Sequence, residues 1–116
     1  MPTCESTFEQ LRRREHGRRV EALRQRLRDS LGPRDCSVWL FGSLARGDWD
    51  GFSDTDLLVV AASREEAEQA ADQLVKDLVG DDVLAIDDER WQAMASSSSP
   101  HGRAIRAQAL RLYPEP

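Results

Sequence analysis

The stretch VWLFGSLARG at positions 38–47, followed by SDTDLLVV at positions 53–60, decides the fold of this chain. The first segment opens with an apolar run that Gly ends, and the second segment opens with two carboxylates before an apolar run, which together indicate two buried strands. A Gly-Ser turn and a short helix are expected between them. The order strand, Gly-Ser, helix, Asp-x-Asp, strand is far more specific than any one of its parts.

The Gly-Ser turn has the chemistry of a phosphate-binding site. Gly42 has no Cβ, so a ligand can come close to its backbone. Ser43 is expected at the start of the short helix, where backbone N–H groups, a hydroxyl and the positive end of the helix dipole would meet. Arg46, one helical turn later, could add a forked set of donors to the same phosphates.

The Asp-x-Asp pair has the chemistry of a magnesium site. Asp54 and Asp56 stand two residues apart on a predicted strand and would therefore project from the same face. Two carboxylates that close repel each other unless a cation lies between them. Mg²⁺ suits oxygen ligation by one or two carboxylates and substrate phosphates. Taken alone, a Gly-Ser after a strand is more often a plain turn, and an Asp-x-Asp is more often a solvated strand start.

In combination, Gly42-Ser43, a gap of ten residues and then Asp54-x-Asp56 resemble the signature of the polymerase-β-like nucleotidyltransferase superfamily. The closest resemblance is to its smallest members, the minimal nucleotidyltransferase (MNT) domains. It is strong over residues 36–61 and weaker but recognisable from there to Tyr113.

The resemblance implies an α/β (α+β) fold, in which a small mixed β-sheet of the polymerase-β nucleotidyltransferase type is covered by helices. This chain would add an extra N-terminal helix. We therefore divide it into an N-terminal helical extension, residues 1–35, and an MNT domain, residues 36–116.

The resemblance also implies two sets of site residues. The residues that would bind the nucleotide are Gly42, Ser43, Arg46 and Ser53. The carboxylates that would hold two Mg²⁺ ions and carry catalysis are Asp54, Asp56 and Asp82.

Asp82 is the best match to a third carboxylate, which the superfamily carries on the strand after the covering helix. In the family this carboxylate completes the metal site and helps to remove a proton from the attacking hydroxyl. The chain departs from the family pattern, because Asp81 stands where the family usually has an apolar residue. The alternative interpretation is that Asp81 and Asp82 form a polar turn after Gly80. Metal binding would then survive while catalysis is weak.

The leading helix carries an apolar stripe and many arginines. Val20, Leu23, Leu27 and Leu31 recur at helical spacing. The same helix holds eight of the sixteen basic residues, interleaved with acidic ones, which is typical of a solvated face with ion pairs. The alternative for the arginines is a docking face for an acidic partner or RNA. The apolar stripe could pack on the chain's own sheet, pair with another copy in a homo-oligomer, or meet a partner.

The remaining elements are predicted from caps and periodicity. Ser63 is expected to cap a second helix that ends at Gly80. The apolar stripe of this helix would comprise Ala67, Ala70, Ala71, Leu74, Val75 and Leu78. A short buried strand over 83–86, a helix capped by Asp87 or Asp88, and a final helix over 101–110 should follow.

Length and composition exclude several classes of protein. The chain has 116 residues and a formal net charge of −5, which fits one modest domain and argues against general nucleic-acid binding. It has no apolar run of membrane-spanning length and no secretory signal, so we expect no membrane partner and a cytoplasmic location. Cys4 and Cys36 are expected to be free thiols, and His16 and His101 lack the spacing of a zinc site.

The activity implied by the resemblance is nucleotidyl transfer, in which an acceptor hydroxyl attacks the α-phosphate of a nucleoside triphosphate and pyrophosphate leaves. MNT domains resemble the antitoxin halves of HEPN/MNT toxin–antitoxin pairs, where family members transfer AMP from ATP to a tyrosine of the HEPN ribonuclease toxin. A chain of this size has no room for its own acceptor-binding domain. We therefore expect ATP as donor, Mg²⁺ as cofactor and a HEPN-type toxin as partner.

Two alternatives from other classes remain at this stage. The chain could be a catalytically weak MNT-like antitoxin that acts by binding alone. It could instead be a nucleotidyltransferase that acts on RNA ends or on a small-molecule hydroxyl.

Overall fold

Four helices and four strands make up the part of the chain that the computed structural model describes, which is residues 4–42, 55–96 and 98–114. The helices are α1 (Cys4–Leu31), α2 (Arg64–Lys76), α3 (Asp88–Ala95) and α4 (Pro100–Gln108). The strands are β1 (Cys36–Phe41), β2 (Asp56–Ala61), β3 (Asp82–Asp87) and β4 (Leu110–Tyr113). The predicted mixed α/β class is confirmed.

The four strands form one mixed sheet in the order β3-β2-β1-β4. β1 is antiparallel to both β2 and β4, whereas β2 and β3 are parallel and are joined through α2. The prediction that residues 83–86 are a buried strand is wrong in one respect, since β3 lies at the edge of the sheet and Leu84 is 53% exposed. An apolar run alone does not tell whether a strand is central or at an edge.

α1 and α2 cover one face of the sheet and enclose the main core. The apolar stripe of α1 packs there with the inward residues of β1 and β2 and with the alanine face of α2. Leu27 is fully buried, and burial of a leucine side chain contributes about 1.5–3 kcal/mol. The structure therefore answers the question that the sequence left open: this stripe packs on the chain's own sheet.

The end of α1 is also tied to the last strand. The Tyr113 hydroxyl donates its one hydrogen to the carbonyl of Gly32 and shares it with the carbonyl oxygen of Arg34, which lies 3.3 Å away. Since β4 pairs with β1, these bonds fix the direction in which the chain leaves α1 and enters β1.

A smaller cluster covers part of the opposite face. Trp91 of α3 packs on β2 there, and its ring centroid lies 4.9 Å from that of Trp39 on β1. The Arg106 guanidinium lies 4.3 Å from the centroid of the Trp91 ring. α3 is capped by Asp87, whose carboxylate accepts a 2.7 Å hydrogen bond from the N–H of Arg90. Of the two predicted caps, the structure selects the residue that ends β3.

The second helix starts where predicted and ends earlier than predicted. Ser63 Oγ accepts a 3.1 Å hydrogen bond from the N–H of Glu66, as an N-cap should. The helix ends at Lys76 and not at Gly80, because Leu78 adopts a left-handed conformation with φ 56°. Val75 and Leu78, which were predicted to be buried, are 59% and 79% exposed.

The turn at Leu78 is a Schellman-type helix end. The N–H of Val79 donates to the carbonyl of Leu74 at 2.9 Å, and the N–H of Leu78 donates to that of Val75 at 3.2 Å. Glycine is the usual residue at the left-handed position of this motif. The helical periodicity predicted that Leu78 is buried behind the helix end, and Val79 is buried there instead.

Replacing Leu78 by glycine should stabilise the protein. The left-handed conformation costs a residue with a Cβ about 1–2 kcal/mol, and the exposed side chain contributes little burial. Glycine loses more chain entropy on folding, so we expect a net gain of about 0.5–1 kcal/mol for Leu78→Gly. Urea unfolding measures it. Leu78→Ala is the matched control, since it removes the side chain and keeps the strain. Equal unfolding midpoints for the two variants would contradict the prediction.

No helix in the described ranges is both long and apolar enough to cross a membrane.

Candidate functional site

Two carboxylates meet where the parallel strands of the sheet begin. Asp56 opens β2 and Asp82 opens β3, and the two residues are partners in the strand register. Directly paired residues on neighbouring strands project from the same face, with the strands about 4.8 Å apart. Asp56 is half-buried and Asp82 is exposed. The pair therefore occupies one end of the sheet, on the face opposite α1 and α2.

Gly42, directly after β1, lies against Asp56 of this pair. Gly42 follows Phe41, which is the partner of Asp56 in the antiparallel register. A Cβ placed on Gly42 would lie 2.6 Å from Oδ2 of Asp56, and the φ of Gly42 is +79°. Both the close approach and the left-handed conformation require glycine here. Folding thus brings Gly42 and Asp56, separate in the sequence, to one point.

The residue before Asp56 anchors the start of β2 to β3. Thr55 is only 6% exposed, and its N–H donates a 2.7 Å hydrogen bond to Oδ2 of Asp81. Its carbonyl accepts from the N–H groups of Asp81 at 2.8 Å and Asp82 at 3.2 Å. The two acidic residues after Gly80 therefore differ in placement: Asp81 closes the turn, and Asp82 begins the strand.

The hydrogen bonds of Thr55 and the role of Asp81 in this anchor were not predicted from the sequence. A local signal existed, because Asp side chains before a strand commonly accept hydrogen bonds from nearby backbone N–H groups. The hydrogen bond that Asp81 accepts comes from the N–H of a residue 26 positions away. This donor could therefore not be predicted from the sequence.

The structure brings together three of the predicted site residues: Gly42, Asp56 and Asp82. The other predicted site residues lie outside the described residues; they are Ser43, Arg46, Ser53 and Asp54. Their assignment remains a prediction.

The carboxylates of Asp56 and Asp82 form an all-oxygen donor set, which fits Mg²⁺ better than metals that favour nitrogen or sulfur ligands. Within the described ranges, no group of three or more His, Cys, Asp or Glu side chains could hold a metal ion. Asp56 and Asp82 make up a pair, and the third predicted ligand, Asp54, lies outside those ranges. The donors that are described fit the predicted ion in type.

Cys36 does not belong to this site. Cys36 is a free thiol at the start of β1, and burial raises its pKa above the ordinary value. A thiol of this kind is a poor nucleophile, since reactivity depends on the thiolate.

Comparison of the sequence with known families identifies the class of this domain. A family model described as a nucleotidyltransferase domain matches residues 20–93. The chain belongs to this nucleotidyltransferase family. The matched region starts within α1, ends within α3, and includes both the Gly42 turn and the Asp56–Asp82 pair. The predicted membership of the polymerase-β-like superfamily is confirmed. Separate comparisons with curated proteins and with solved structures found no match.

Membership gives this nucleotidyltransferase a general activity. Enzymes of the family transfer a nucleotidyl group from a nucleoside triphosphate, and they generally do so with a divalent metal. The Asp56–Asp82 pair is the described part of the chain whose chemistry suits that reaction. The acceptor that receives the nucleotide is a separate question.

Proposed function

We propose that this nucleotidyltransferase transfers AMP from ATP to a hydroxyl of a partner protein, with Mg²⁺ as cofactor. We further propose that the partner is a HEPN-type toxin and that the chain is its antitoxin. The observation that carries the transfer reaction is the close approach of Gly42 to Asp56 Oδ2, 2.6 Å from a Cβ placed on the glycine. The donor, the protein acceptor and the antitoxin role rest on the resemblance of the Gly42-Ser43 and Asp54-x-Asp56 motifs to MNT domains.

In this proposal the turn after β1 holds the donor. The backbone at Gly42 and the hydroxyl of Ser43 bind the β- and γ-phosphates, with Arg46 and Ser53 beside them. Oriented N–H groups and a guanidinium stabilise negative charge without rearranging during the reaction. Their role is to keep the α-phosphate in line with the attacking hydroxyl and to neutralise the charge of the pyrophosphate that leaves.

The carboxylates act on the other side of the α-phosphate. Asp54, Asp56 and Asp82 would hold Mg²⁺, which when bound supplies positive charge at the phosphates and favours the deprotonated form of the hydroxyl. Asp82, exposed on the neighbouring strand, accepts the proton of the acceptor hydroxyl. The hydroxyl oxygen then bonds to the α-phosphorus, the bond from the α-phosphorus to the bridging oxygen breaks, and pyrophosphate leaves.

A protein acceptor is favoured over nucleic acid by charge. The formal net charge of the chain is −5, and binding to a phosphate backbone depends on positive charge. The described helices and strands pack around one sheet, without a second lobe among them that could hold an acceptor. The exposed side of Asp82, on the edge strand, leaves room for a side chain that a partner presents.

The proposal is tested with purified chain, Mg²⁺ and ATP labelled at the α-phosphate, mixed with an extract of the source cells. We expect label on one small protein. ATP labelled at the γ-phosphate is the matched control and should leave that protein unlabelled, because the γ-phosphate leaves with pyrophosphate. Label on RNA or on a small molecule would contradict a protein acceptor.

A folded chain that labels nothing would contradict the proposed transfer and favour an antitoxin that acts by contact alone. Stoichiometric inhibition of the toxin without ATP would then be the expected finding. Steeply salt-dependent binding of RNA would instead favour an RNA acceptor.

A further inference from the structure

The acidic residue at position 81 has a defined structural partner. Its Oδ2 accepts the Thr55 N–H at 2.7 Å, while its own N–H donates to the Thr55 carbonyl at 2.8 Å. Together with the hydrogen bond from the Asp82 N–H, these bonds give partners to both the N–H and the carbonyl of Thr55. The parallel register of β2 and β3 begins at the next residue pair, Asp56 and Asp82.

A carboxylate is well suited to this position. Thr55 is almost fully buried, and a buried N–H without a partner is strongly destabilising. An ionised acceptor forms a stronger hydrogen bond than a neutral one. Thr55 immediately precedes Asp56, the predicted metal ligand that opens β2, so a fixed Thr55 fixes the point from which the Asp56 side chain leaves the strand.

Asp81 is not placed to be a ligand itself. One of its carboxylate oxygens is engaged by Thr55, and the residue lines a cleft of about 270 Å³ together with Arg19 and Arg26 of α1. That cleft lies against α1, the helix that covers the face opposite Asp56 and Asp82. Asp81 therefore acts on the geometry of the metal site through its bonds to Thr55, apart from any effect of its charge.

We propose that Asp81 is a positioning residue, which holds Thr55 so that the carboxylate of Asp56 faces Asp82 at the spacing that a divalent cation needs. The inference rests on the proposed function for the use of that cation. The hydrogen bonds that carry it do not depend on the identity of the acceptor. Residues that orient metal ligands from behind typically change metal affinity or activity by about 10–100-fold when mutated.

The test compares three variants of the full chain: Asp81→Ala removes the acceptor, Asp81→Asn keeps a neutral one, and Asp72→Ala removes an exposed carboxylate of α2. Mn²⁺ affinity is measured by electron paramagnetic resonance, and amide exchange at Thr55 is measured by NMR in the metal-free protein. We expect Asp81→Ala to weaken Mn²⁺ binding by about 10–100-fold. Asp81→Asn should stay within about fivefold of wild type, and Asp72→Ala should match wild type.

Exchange at Thr55 distinguishes positioning from general destabilisation. In Asp81→Ala we expect faster exchange at Thr55, while amides in the centre of β1 keep wild-type rates. Asp81→Ser keeps a shorter acceptor and should give an intermediate affinity, so the test holds even if Asp81→Ala does not fold. Wild-type Mn²⁺ affinity in Asp81→Ala, or equal loss in Asp81→Ala and Asp81→Asn, would overturn the proposal. A wild-type chain that binds Mn²⁺ and transfers no nucleotide would contradict the proposed function alone.

Discussion

Asp56→Asn is expected to lower nucleotidyl transfer at least about a thousandfold and to leave the fold intact. The amide has nearly the shape of the carboxylate, so the packing at the start of β2 is preserved. It carries no negative charge, however, and therefore holds a divalent cation much less tightly together with Asp82, its partner in the strand register. The rate of transfer from α-labelled ATP measures the loss, and circular dichroism with a thermal melt shows whether the fold is kept.

Asp88→Asn is the matched control for this variant. Asp88 is an exposed carboxylate in the first turn of α3, so the same chemical change there should leave transfer at the wild-type rate. Transfer by Asp56→Asn at the wild-type rate, with an unchanged melt, would remove Asp56 from the site and with it the proposed mechanism. Loss of transfer in both variants would point to net charge and not to position.

Elements that depend on local signals could be predicted from the sequence. β1 and β2 follow from compact apolar runs, which any sheet would bury. The caps at Ser63 and Asp87 follow from side chains that reach a backbone N–H three residues away. Gly42 and Asp56 were predicted from the motif, and the structure adds that they touch, which no local signal contains.

Elements that depend on the rest of the fold could not be predicted. The strand over 83–86 looks central by its apolar run, but its exposure is set by the order of the strands. Helical periodicity extends through Leu78, yet the helix ends at Lys76, because burying Val79 behind the helix end offsets a strained residue. The α1 stripe was visible in the sequence, and only the packed structure shows what it packs against.

Asp81, which stands where the family usually has an apolar residue, shows that a motif must be interpreted together with the residues it contacts. From the sequence, an acidic residue before Asp82 suggested either a displaced catalytic carboxylate or a polar turn. The structure contains a turn at Asp81 and a strand that starts at Asp82, because the Thr55 N–H gives the extra carboxylate a partner. A turn at Asp81 therefore leaves Asp82 on the strand, where its catalytic role remains a prediction.

Gly42→Ala is the second prediction with a large expected effect, and it separates strain from displacement. The added Cβ would lie 2.6 Å from Asp56 Oδ2, so the carboxylate must turn away. Because that oxygen is at the end of a side chain, turning it adds little to the cost of forcing alanine to a φ of +79°, about 1–2 kcal/mol. Misplacing a catalytic group by about 1 Å can lower a rate about a hundredfold. We therefore expect a modest loss of stability and a loss of transfer of that size.

Gly32→Ala is the matched control, because it introduces the backbone strain without displacing a carboxylate. Gly32 has a φ of +59°, and a Cβ there would meet no atom within 4 Å. It should show nearly the same loss of unfolding free energy as Gly42→Ala, about 1–2 kcal/mol, with transfer at the wild-type rate. Urea unfolding and α-labelled transfer measure both quantities on both variants. If the two variants transferred nucleotide equally well, the carboxylate of Asp56 would be free to move during catalysis, and its contact with Gly42 would have no part in the reaction.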